Sequence, residues 1–300
     1  MTSEASQENT VLNQLSPYFQ LLRPHQWVKN GFVFLPLFFS LNLGKLFLLE
    51  QAAILFGVFC LCASAVYILN DIRDLTEDRA HPVKCTRPLA ANVVPVPIAL
   101  MLMMVLITAG LGAVVLLVPN ATLFVGGYLL LNVLYSYWLK HIAIVDLFCI
   151  ATGFVLRVLA GAATIYVEPT MWIILMTFLL ALFLGLAKRR DCYLLYKEGK
   201  QTRSNIDHYN LEFINAGMVM MSAVVIVAYI FYTISPEVTT RFGSSNLYVT
   251  TAFVILGIMR YMQITFVEAS SGSPTEVLLT DRLLQMTILA WLLTFVFLIY

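Results

Sequence analysis

Long apolar stretches recur along the whole chain and constrain its fold more than any other feature. Hydrophobic residues occupy 60% of the 300 positions and charged residues only 12%, far from the composition of soluble domains. Because a bilayer core about 30 Å thick needs roughly 20 apolar residues per spanning helix, the stretches predict an all-α, polytopic membrane protein with about nine transmembrane helices. We place them near residues 26–42, 50–70, 93–118, 120–138, 142–165, 170–187, 213–234, 246–267 and 282–300.

Proline-containing turns separate several of these segments. Pro119-Asn120 predicts a tight turn between the third and fourth segments, and Glu168-Pro169 predicts another between the fifth and sixth. The polar N-terminal residues lack the basic-then-apolar pattern of a cleavable signal peptide. We therefore expect residues 1–22 to form a short cytoplasmic tail and residues 23–300 to form a single integral membrane domain.

The Lys and Arg residues are distributed unequally between the two sides of the predicted helices. Fourteen of the 18 lie on one side and only Lys45 and Arg241 on the other, with two more inside helices. Cytoplasmic loops of membrane proteins carry such an excess of positive charge. The asymmetry predicts a cytoplasmic N-terminus, cytoplasmic loops at 71–92 and 188–212, and an external C-terminus.

Cysteine and histidine spacing indicates neither a disulfide framework nor a zinc site. The five cysteines contain no CxxC pair, three of them lie in apolar segments, and the four histidines contain no HxxxH or HExxH pattern. The net charge of +1 gives no reason to expect nucleic acid as a partner.

An acidic cluster ends the second apolar segment, at Asn70, Asp71, Asp74, Glu77 and Asp78. At about 100° per residue these positions fall within roughly a third of a helix circumference. Like charges at such spacings destabilise a helix unless a cation neutralises them. Mg²⁺ takes a few carboxylates together with phosphate oxygens. The cluster therefore favours a metal-bound diphosphate, and a solvated acidic helix end is the alternative with the same pattern.

The segment that follows the acidic cluster is basic. It contains Arg79, His81, Lys84 and Arg87. Lys and Arg side chains beside a metal site can bind the remaining oxygens of a phosphorylated substrate. Basic residues that serve only membrane topology are the alternative, although the close interleaving of both signs of charge favours the substrate role.

The fifth apolar segment carries two ionisable residues, Asp146 and Arg157. Ionisable groups inside membrane helices are functional candidates by default. Gly153 and Gly161 lie four residues before and after Arg157, and small residues permit close approach by a neighbouring helix or ligand. The alternatives are that Asp146 lies at the membrane surface and that Arg157 extends outwards to water.

A basic run follows the sixth apolar segment. Lys188, Arg189 and Arg190 precede Asp191, and more basic residues follow. Lys and Arg next to a membrane helix can bind anionic lipid head groups or only determine topology. The residues alone leave both roles open.

The spacing Asn-Asp-x-x-Asp-x-x-x-Asp, at Asn70–Asp78, resembles the first motif of the UbiA-type membrane prenyltransferase superfamily. Its extension His-Pro-x-Lys-x-x-Arg-Pro, which ends at Pro88, is similar to the decaprenyl-phosphate phosphoribosyltransferase branch. The similarity extends to Arg23–Asn30, Tyr135-Ser136, Lys140, Asp146, Gly153–Arg157, Lys188-Arg189 and Pro274–Arg282. It covers nearly the whole chain in order.

This resemblance implies a UbiA-like fold and a phosphoribosyl transfer. A polyprenyl phosphate of the decaprenyl or undecaprenyl type would attack phosphoribosyl pyrophosphate and release pyrophosphate. The product would be a lipid-linked pentose precursor for arabinosylation of the cell envelope or of glycoconjugates. The resemblance also implies Mg²⁺, with Mn²⁺ as a substitute, and a site that faces the cytoplasm from a bacterial inner membrane. The partners that the resemblance implies are the two substrates and the bilayer. It leaves open whether the chain forms a homo-oligomer.

The resemblance further implies which residues form the site. Asp71, Asp74 and Asp78 would hold the metal and, with Asp146 and Arg157, serve catalysis. The substrate-binding residues would be Lys29, Asn70, Lys84, Arg87, Tyr135, Lys140, Lys188 and Arg189. The attacking phosphate has a second pKa of about 6, so no catalytic base is required near neutral pH.

Two other functions fit parts of the pattern. Conventional UbiA-type prenyltransferases, which move an isoprenyl group from its diphosphate to an aromatic acceptor, resemble one another in a second DxxxD motif. Only Asp146 occupies the corresponding region here, which favours the phosphoribosyl reaction. A transporter or lipid-binding protein without chemistry would concentrate its charges near the bilayer midplane with broken helices, whereas the dense charge here lies at the predicted cytoplasmic surface.

Overall fold

The computed structural model describes residues 16–81, 83–199, 205–268 and 274–299, and within these ranges every regular element is helical. Among the described residues, seven helices are long and apolar enough to cross a membrane: Leu46–Arg73, Val96–Leu117, Val145–Thr164, Met171–Lys197, Leu211–Ile234, Leu247–Phe266 and Arg282–Ile299. The predicted all-α, multi-pass architecture is confirmed. The predicted count of nine spanning helices is not.

The α-helices are numbered along the chain as α1 Leu35–Phe39, α2 Leu46–Arg73, α3 Leu75–Ala80, α4 Val96–Leu117, α5 Thr122–Tyr137, α6 Val145–Thr164, α7 Met171–Lys197, α8 Leu211–Ile234, α9 Pro236–Phe242, α10 Thr251–Phe266, α11 Pro274–Thr280 and α12 Arg282–Ile299. Short 3₁₀ turns join several of them. One of these, Pro119–Ala121, confirms the turn expected between the third and fourth segments.

The first and fourth predicted spans differ from the other seven. Residues 16–22 are helical, and a 3₁₀ helix, Pro24–Phe34, then leads into the five-residue α1. Runs of 3₁₀ helix this long are uncommon, and they often mark a functional hinge or strain. The fourth span is α5, whose 16 residues reach about 24 Å at 1.5 Å per residue. This length is shorter than a typical bilayer core.

The described residues group into two compact units, and the first contains α1 to α5 and most of α6. Its core is formed by α2, α4, α5 and α6, and includes Phe59, Val114 and Tyr128. Gly161 of α6 packs directly on the 3₁₀ helix, since a Cβ atom at this position would lie 2.2 Å from the Val33 carbonyl oxygen. The close approach expected at Gly161 is therefore present.

The second unit contains α7 to α12. Leu186 of α7 contacts Gly217 of α8. The Trp291 Nε1–H of α12 donates to the Tyr229 hydroxyl of α8 at 2.7 Å, so polar side chains also connect these helices. The expectation of one catalytic domain stays a prediction. Most of the expected N-terminal tail lies outside the described residues, which begin at Ser16.

Candidate active site

The acidic cluster lies where α2 gives way to α3. Helical geometry is interrupted at Asp74, which has φ −94° and ψ 10°. An unbroken helix would place these like charges on one face, where their repulsion destabilises it. The side chains of Asp71 and Asp78 are only 3% and 2% exposed, whereas Asp74 is 27% exposed. Glu77 is exposed to solvent. The predicted single acidic face is therefore wrong for Glu77, and the cluster divides into a buried pair and a more accessible member.

Arg87 connects the two buried aspartates through one nitrogen atom. Its Nη1 lies 3.1 Å from Asp71 Oδ1 and 2.5 Å from Asp78 Oδ2. Lys84 Nζ is 3.7 Å from the other oxygen of Asp78. A 3₁₀ turn, Lys84–Thr86, places both cations beside the aspartates. The structure thus brings together four residues that the sequence assigned to the site.

His81 orders the same segment. Its Nδ1 accepts hydrogen bonds from the backbone N–H groups of Val83 and Lys84, at 3.2 and 3.3 Å. Partial burial lowers the pKa of His81, and the positive charges of Lys84 and Arg87 add to this effect against the opposing charge of Asp78. The imidazole is therefore neutral near pH 7, which leaves Nδ1 free to accept both bonds.

Two further cations come from distant parts of the chain. Lys140, which follows α5, forms an ion pair with Asp74, and Arg23 forms one with Asp71. Arg23 has φ 53°, in the left-handed region, a conformation that is costly for a residue other than glycine. Arg23 was not among the predicted site residues, although it begins the leader segment that carries part of the family resemblance.

Asn70 is anchored by a residue that was not among the predicted site residues, Ser136. The Ser136 hydroxyl oxygen lies 2.6 Å from Asn70 Oδ1. Ser136 is buried in α5, and its neighbour Tyr135 is half-buried. The only sequence signal for Ser136 was its place beside Tyr135 in a family motif.

Arg157 lies inside the first unit with only 5% of its surface exposed. Its three guanidinium nitrogens donate to Asn30 Oδ1 at 2.9 Å, to the Gly153 carbonyl at 2.9 Å and to the Tyr128 hydroxyl at 3.0 Å. The guanidinium carbon lies 4.6 Å from the centre of the Tyr128 ring. The alternative in which Arg157 extends outwards to water is therefore wrong.

Lys29 adds a second positive charge near Arg157. It belongs to the same 3₁₀ helix as Asn30, and it experiences the charges of both Arg157 and Arg23. Within the described ranges, no carboxylate forms an ion pair with Arg157 or Lys29. Positive charge in this region is therefore in excess.

The remaining predicted site residues lie on α6 and α7. Asp146 is fully buried in the first turn of α6, where the helix dipole favours a carboxylate. Lys188 and Arg189 belong to the second unit. They are helical, because α7 continues to Lys197 and turns at Gly199 with φ 75°. The prediction that the sixth helix ends at 187 is wrong, and Arg189 is buried within α7 rather than held on a loop.

The aspartates also fit a divalent cation. Asp71 and Asp78 converge on a single positively charged atom, Arg87 Nη1, and Mg²⁺ typically binds one or two carboxylates together with substrate phosphates. Among the described residues, no three Asp, Glu, His or Cys side chains are grouped closely enough to hold a metal by themselves. A metal held here would need phosphate oxygens as additional ligands, and the three-aspartate ligand set stays a prediction.

Comparison with known proteins identifies the family. The UbiA prenyltransferase family matches residues 32–198. The decaprenyl-phosphate phosphoribosyltransferase of Corynebacterium glutamicum is 31% identical, over 93% of this chain and 85% of its own. That of Mycobacterium tuberculosis is 29% identical, over 94% of both chains.

A solved structure agrees at the level of the fold. A UbiA homolog from Archaeoglobus fulgidus bound to DMAPP and Mg²⁺ superimposes with a TM-score of 0.70 at 17% identity, covering 94% of this chain and 98% of the homolog. The resemblance inferred from the motif at Asn70–Asp78 is confirmed, and the chain belongs to the UbiA prenyltransferase family.

Proposed function

We propose that the protein transfers 5-phosphoribose from phosphoribosyl pyrophosphate to a polyprenyl phosphate and releases pyrophosphate. An oxygen of the lipid phosphate forms a bond to C1 of the ribose. The bond between C1 and the pyrophosphate oxygen breaks, and pyrophosphate leaves with the electron pair. Relatives in Corynebacterium and Mycobacterium that align over most of the chain carry the name of this activity.

The observation that carries the proposal is the interleaving of buried carboxylates and cations around Arg87. In the part of the chain that the structure describes, four cations lie against three aspartates: Arg23, Lys84, Arg87 and Lys140 against Asp71, Asp74 and Asp78. A reaction that joins two anions requires such an excess of positive charge. Guanidinium groups bind phosphate oxygens as readily as carboxylate oxygens, so these ion pairs keep the cations in position to be exchanged for substrate.

Asp71 and Asp78, with Asp74, would hold Mg²⁺, which when bound polarises the leaving diphosphate. The Archaeoglobus homolog was solved with Mg²⁺ and an isoprenyl diphosphate, which supports a metal and diphosphate at this fold. Mn²⁺ is a substitute with similar ligand preferences. The lipid phosphate is already ionised near pH 7, so the side chains need not remove a proton from it.

Arg157 and Lys29 would bind a substrate phosphate. Asn30, Gly153 and Tyr128 hold the Arg157 guanidinium in one orientation, so little conformational entropy is lost when a phosphate binds. Because no described carboxylate neutralises this pair, an anion is the missing partner.

The chain is a multi-pass membrane protein. We further propose that it lies in a bacterial inner membrane with its site facing the cytoplasm. The asymmetry of Lys and Arg supports this orientation, and phosphoribosyl pyrophosphate is a soluble anion that would reach the site from that side.

The test uses membranes that contain the full chain. They are incubated with Mg²⁺, phosphoribosyl pyrophosphate and polyprenyl phosphate, and the lipid product is analysed by mass spectrometry. We expect a polyprenyl-phosphoryl ribose 5-phosphate and equimolar pyrophosphate, and neither from membranes with Asp78→Asn.

A parallel reaction supplies an isoprenyl diphosphate and an aromatic acceptor. A prenylated aromatic product without a ribosylated lipid would instead establish a conventional prenyltransferase. No product in either reaction from well-folded protein would favour a protein without chemistry.

A further inference from the structure

A cavity of about 600 Å³ lies within the second unit, where three helices end. It is lined by Arg190, Asn215, Ala216, Val219, Met220 and Phe266. Arg190 lies about two turns before the end of α7, Asn215 lies in the second turn of α8, and Phe266 is the last residue of α10. This Arg190 cavity uses none of the residues assigned to the proposed active site.

Arg190 is a buried charge with neutral partners. Only 7% of its surface is exposed. Its Nε donates to Asn215 Oδ1 at 3.1 Å, and its Nη1 donates to the Thr265 carbonyl at 2.5 Å. The guanidinium carbon lies 5.2 Å from the centre of the Phe266 ring. In the described parts of the chain no carboxylate pairs with Arg190, and Nη2 has no acceptor.

Such a charge needs a counter-ion. Burial of an ionised group is costly unless it is paired, and hydrogen bonds to an amide and a carbonyl satisfy donors without cancelling charge. The Arg190 cavity therefore provides positive charge and a free donor for an anion.

The rest of the cavity is lined by apolar side chains, most of them on the spanning helix α8. Ala216, Val219 and Met220 have the spacing i, i+3, i+4, so they form one stripe along α8. Val219 is 52% exposed and Met220 57%. The stripe leads from the helix end, where Arg190 and Asn215 lie, towards the middle of the spanning helix Leu211–Ile234. The same cavity therefore offers a positive charge for a lipid head group and, further along α8, an apolar surface for an acyl chain.

We infer that the Arg190 cavity binds an acidic membrane phospholipid, with the phosphate on Arg190 and an acyl chain along Ala216, Val219 and Met220. Basic pockets between transmembrane helices bind anionic lipid head groups by this combination. A free phosphate would use the charge but not the apolar stripe. If Arg190 served only to bind the Thr265 carbonyl of α10, the cavity would need no ligand. Blocking the stripe would then leave lipid binding unchanged.

The test is native mass spectrometry of the purified full chain in detergent, titrated with phosphatidylglycerol, with phosphatidylcholine or with inorganic phosphate. Ala216 takes no part in the hydrogen bonds of Arg190, and Ala216→Trp fills the stripe. Ala223→Trp is its matched control. Ala223 is likewise exposed on α8 and lies on the same face, seven residues and about 10 Å further along, outside the lining.

We expect phosphatidylglycerol to bind the wild type and Ala223→Trp alike, and Ala216→Trp to bind it at least about tenfold more weakly. Arg190→Gln should lose the preference for phosphatidylglycerol over phosphatidylcholine. Equal binding of phosphatidylglycerol by Ala216→Trp and Ala223→Trp would overturn the inference, even if Arg190→Gln failed to fold. Equal binding of the two lipids by the wild type would also overturn it, as would displacement of the lipid by inorganic phosphate at equal concentration.

Discussion

Arg87 donates through one nitrogen atom to two carboxylates that are almost fully buried. Asp71 lies in the last turn of α2 and Asp78 lies in α3, on either side of the interruption at Asp74. Glu77 lies between them in sequence, but it is exposed and makes no ion pair among the described residues. Burial and ion pairing thus distinguish Asp71 and Asp78 from Glu77, a difference that the composition of the motif does not reveal.

This difference predicts unequal effects of removing charge from the motif. Asp71→Asn and Asp78→Asn should each lower phosphoribosyl transfer by about a hundredfold or more, because each removes a carboxylate from the proposed metal and cation cluster. Glu77→Gln is the matched control and should retain most of the rate. Initial rates in membranes with equal protein levels, with and without EDTA, provide the measurement. Full activity in EDTA would contradict a metal at these aspartates.

Arg157 gives a prediction that separates charge from geometry. Arg157→Lys preserves the charge but loses the planar fork that bonds Asn30, Gly153 and Tyr128 together. We expect a loss of about tenfold to a hundredfold in the transfer rate at unchanged protein level. Arg241→Lys replaces an exposed arginine on the other predicted side and should have no effect. Wild-type kinetics for Arg157→Lys would remove Arg157 from the site.

The elements differ from the predicted ones mainly where polar groups end or interrupt a helix. Apolar length alone predicted seven of the spanning helices. It could not predict that α7 continues through Lys188, Arg189 and Arg190 to Lys197, because buried arginines need partners from other helices that a single segment does not contain. The 3₁₀ helix Pro24–Phe34 could not be predicted either, because its side-chain composition resembles that of an ordinary spanning helix.

The contact between this 3₁₀ helix and α6 gives a prediction for Gly161. Gly161→Ala would place a methyl group 2.2 Å from the Val33 carbonyl, which forces the two backbones apart and moves Asn30 away from Arg157. We expect a destabilisation of about 1–3 kcal/mol, typical of overpacking, and reduced activity. Thermal unfolding in detergent measures the first effect and the transfer rate the second.

The control for Gly161→Ala is Gly57→Ala in α2. A Cβ atom at Gly57 meets no atom within 4 Å, so the change should be neutral or should stabilise the helix by up to about 1 kcal/mol. Equal unfolding temperatures for the two variants would show that the 3₁₀ helix can move at no cost, contrary to our expectation.

At the scale of the whole molecule, the family motif named candidate site residues, several of which the structure brings together, but it did not predict how they pair. Arg23 and Asp71 are 48 positions apart, and Lys140 and Asp74 are 66 apart. Periodicity describes neighbours within one helix, whereas such pairs depend on how helices pack. For the same reason Tyr128 was missed, because it supports Arg157 from a different helix.

The orientation of the molecule in the membrane can be tested with a native cysteine. Cys85 is partly exposed and lies between Lys84 and Thr86, whereas Cys60, Cys62 and Cys149 are buried. In a variant that retains only Cys85, a membrane-impermeant maleimide should label permeabilised cells but not intact cells. Labelling in intact cells would place the basic segment outside and overturn the proposed orientation.

The ion pairs of Asp71 and Asp78 with Arg23 and Arg87 also affect how ligands influence one another. A divalent cation that reaches these aspartates alone competes with guanidinium groups already in place. A diphosphate offers those guanidinium groups new acceptors. Each ligand therefore lowers the free-energy cost of breaking the ion pairs when the other ligand binds. Thermodynamic linkage makes this coupling reciprocal: the factor by which Mg²⁺ tightens diphosphate binding equals the factor by which the diphosphate tightens Mg²⁺ binding. If these aspartates hold the metal as proposed, we expect the protein to bind the metal–diphosphate complex more tightly than either component alone.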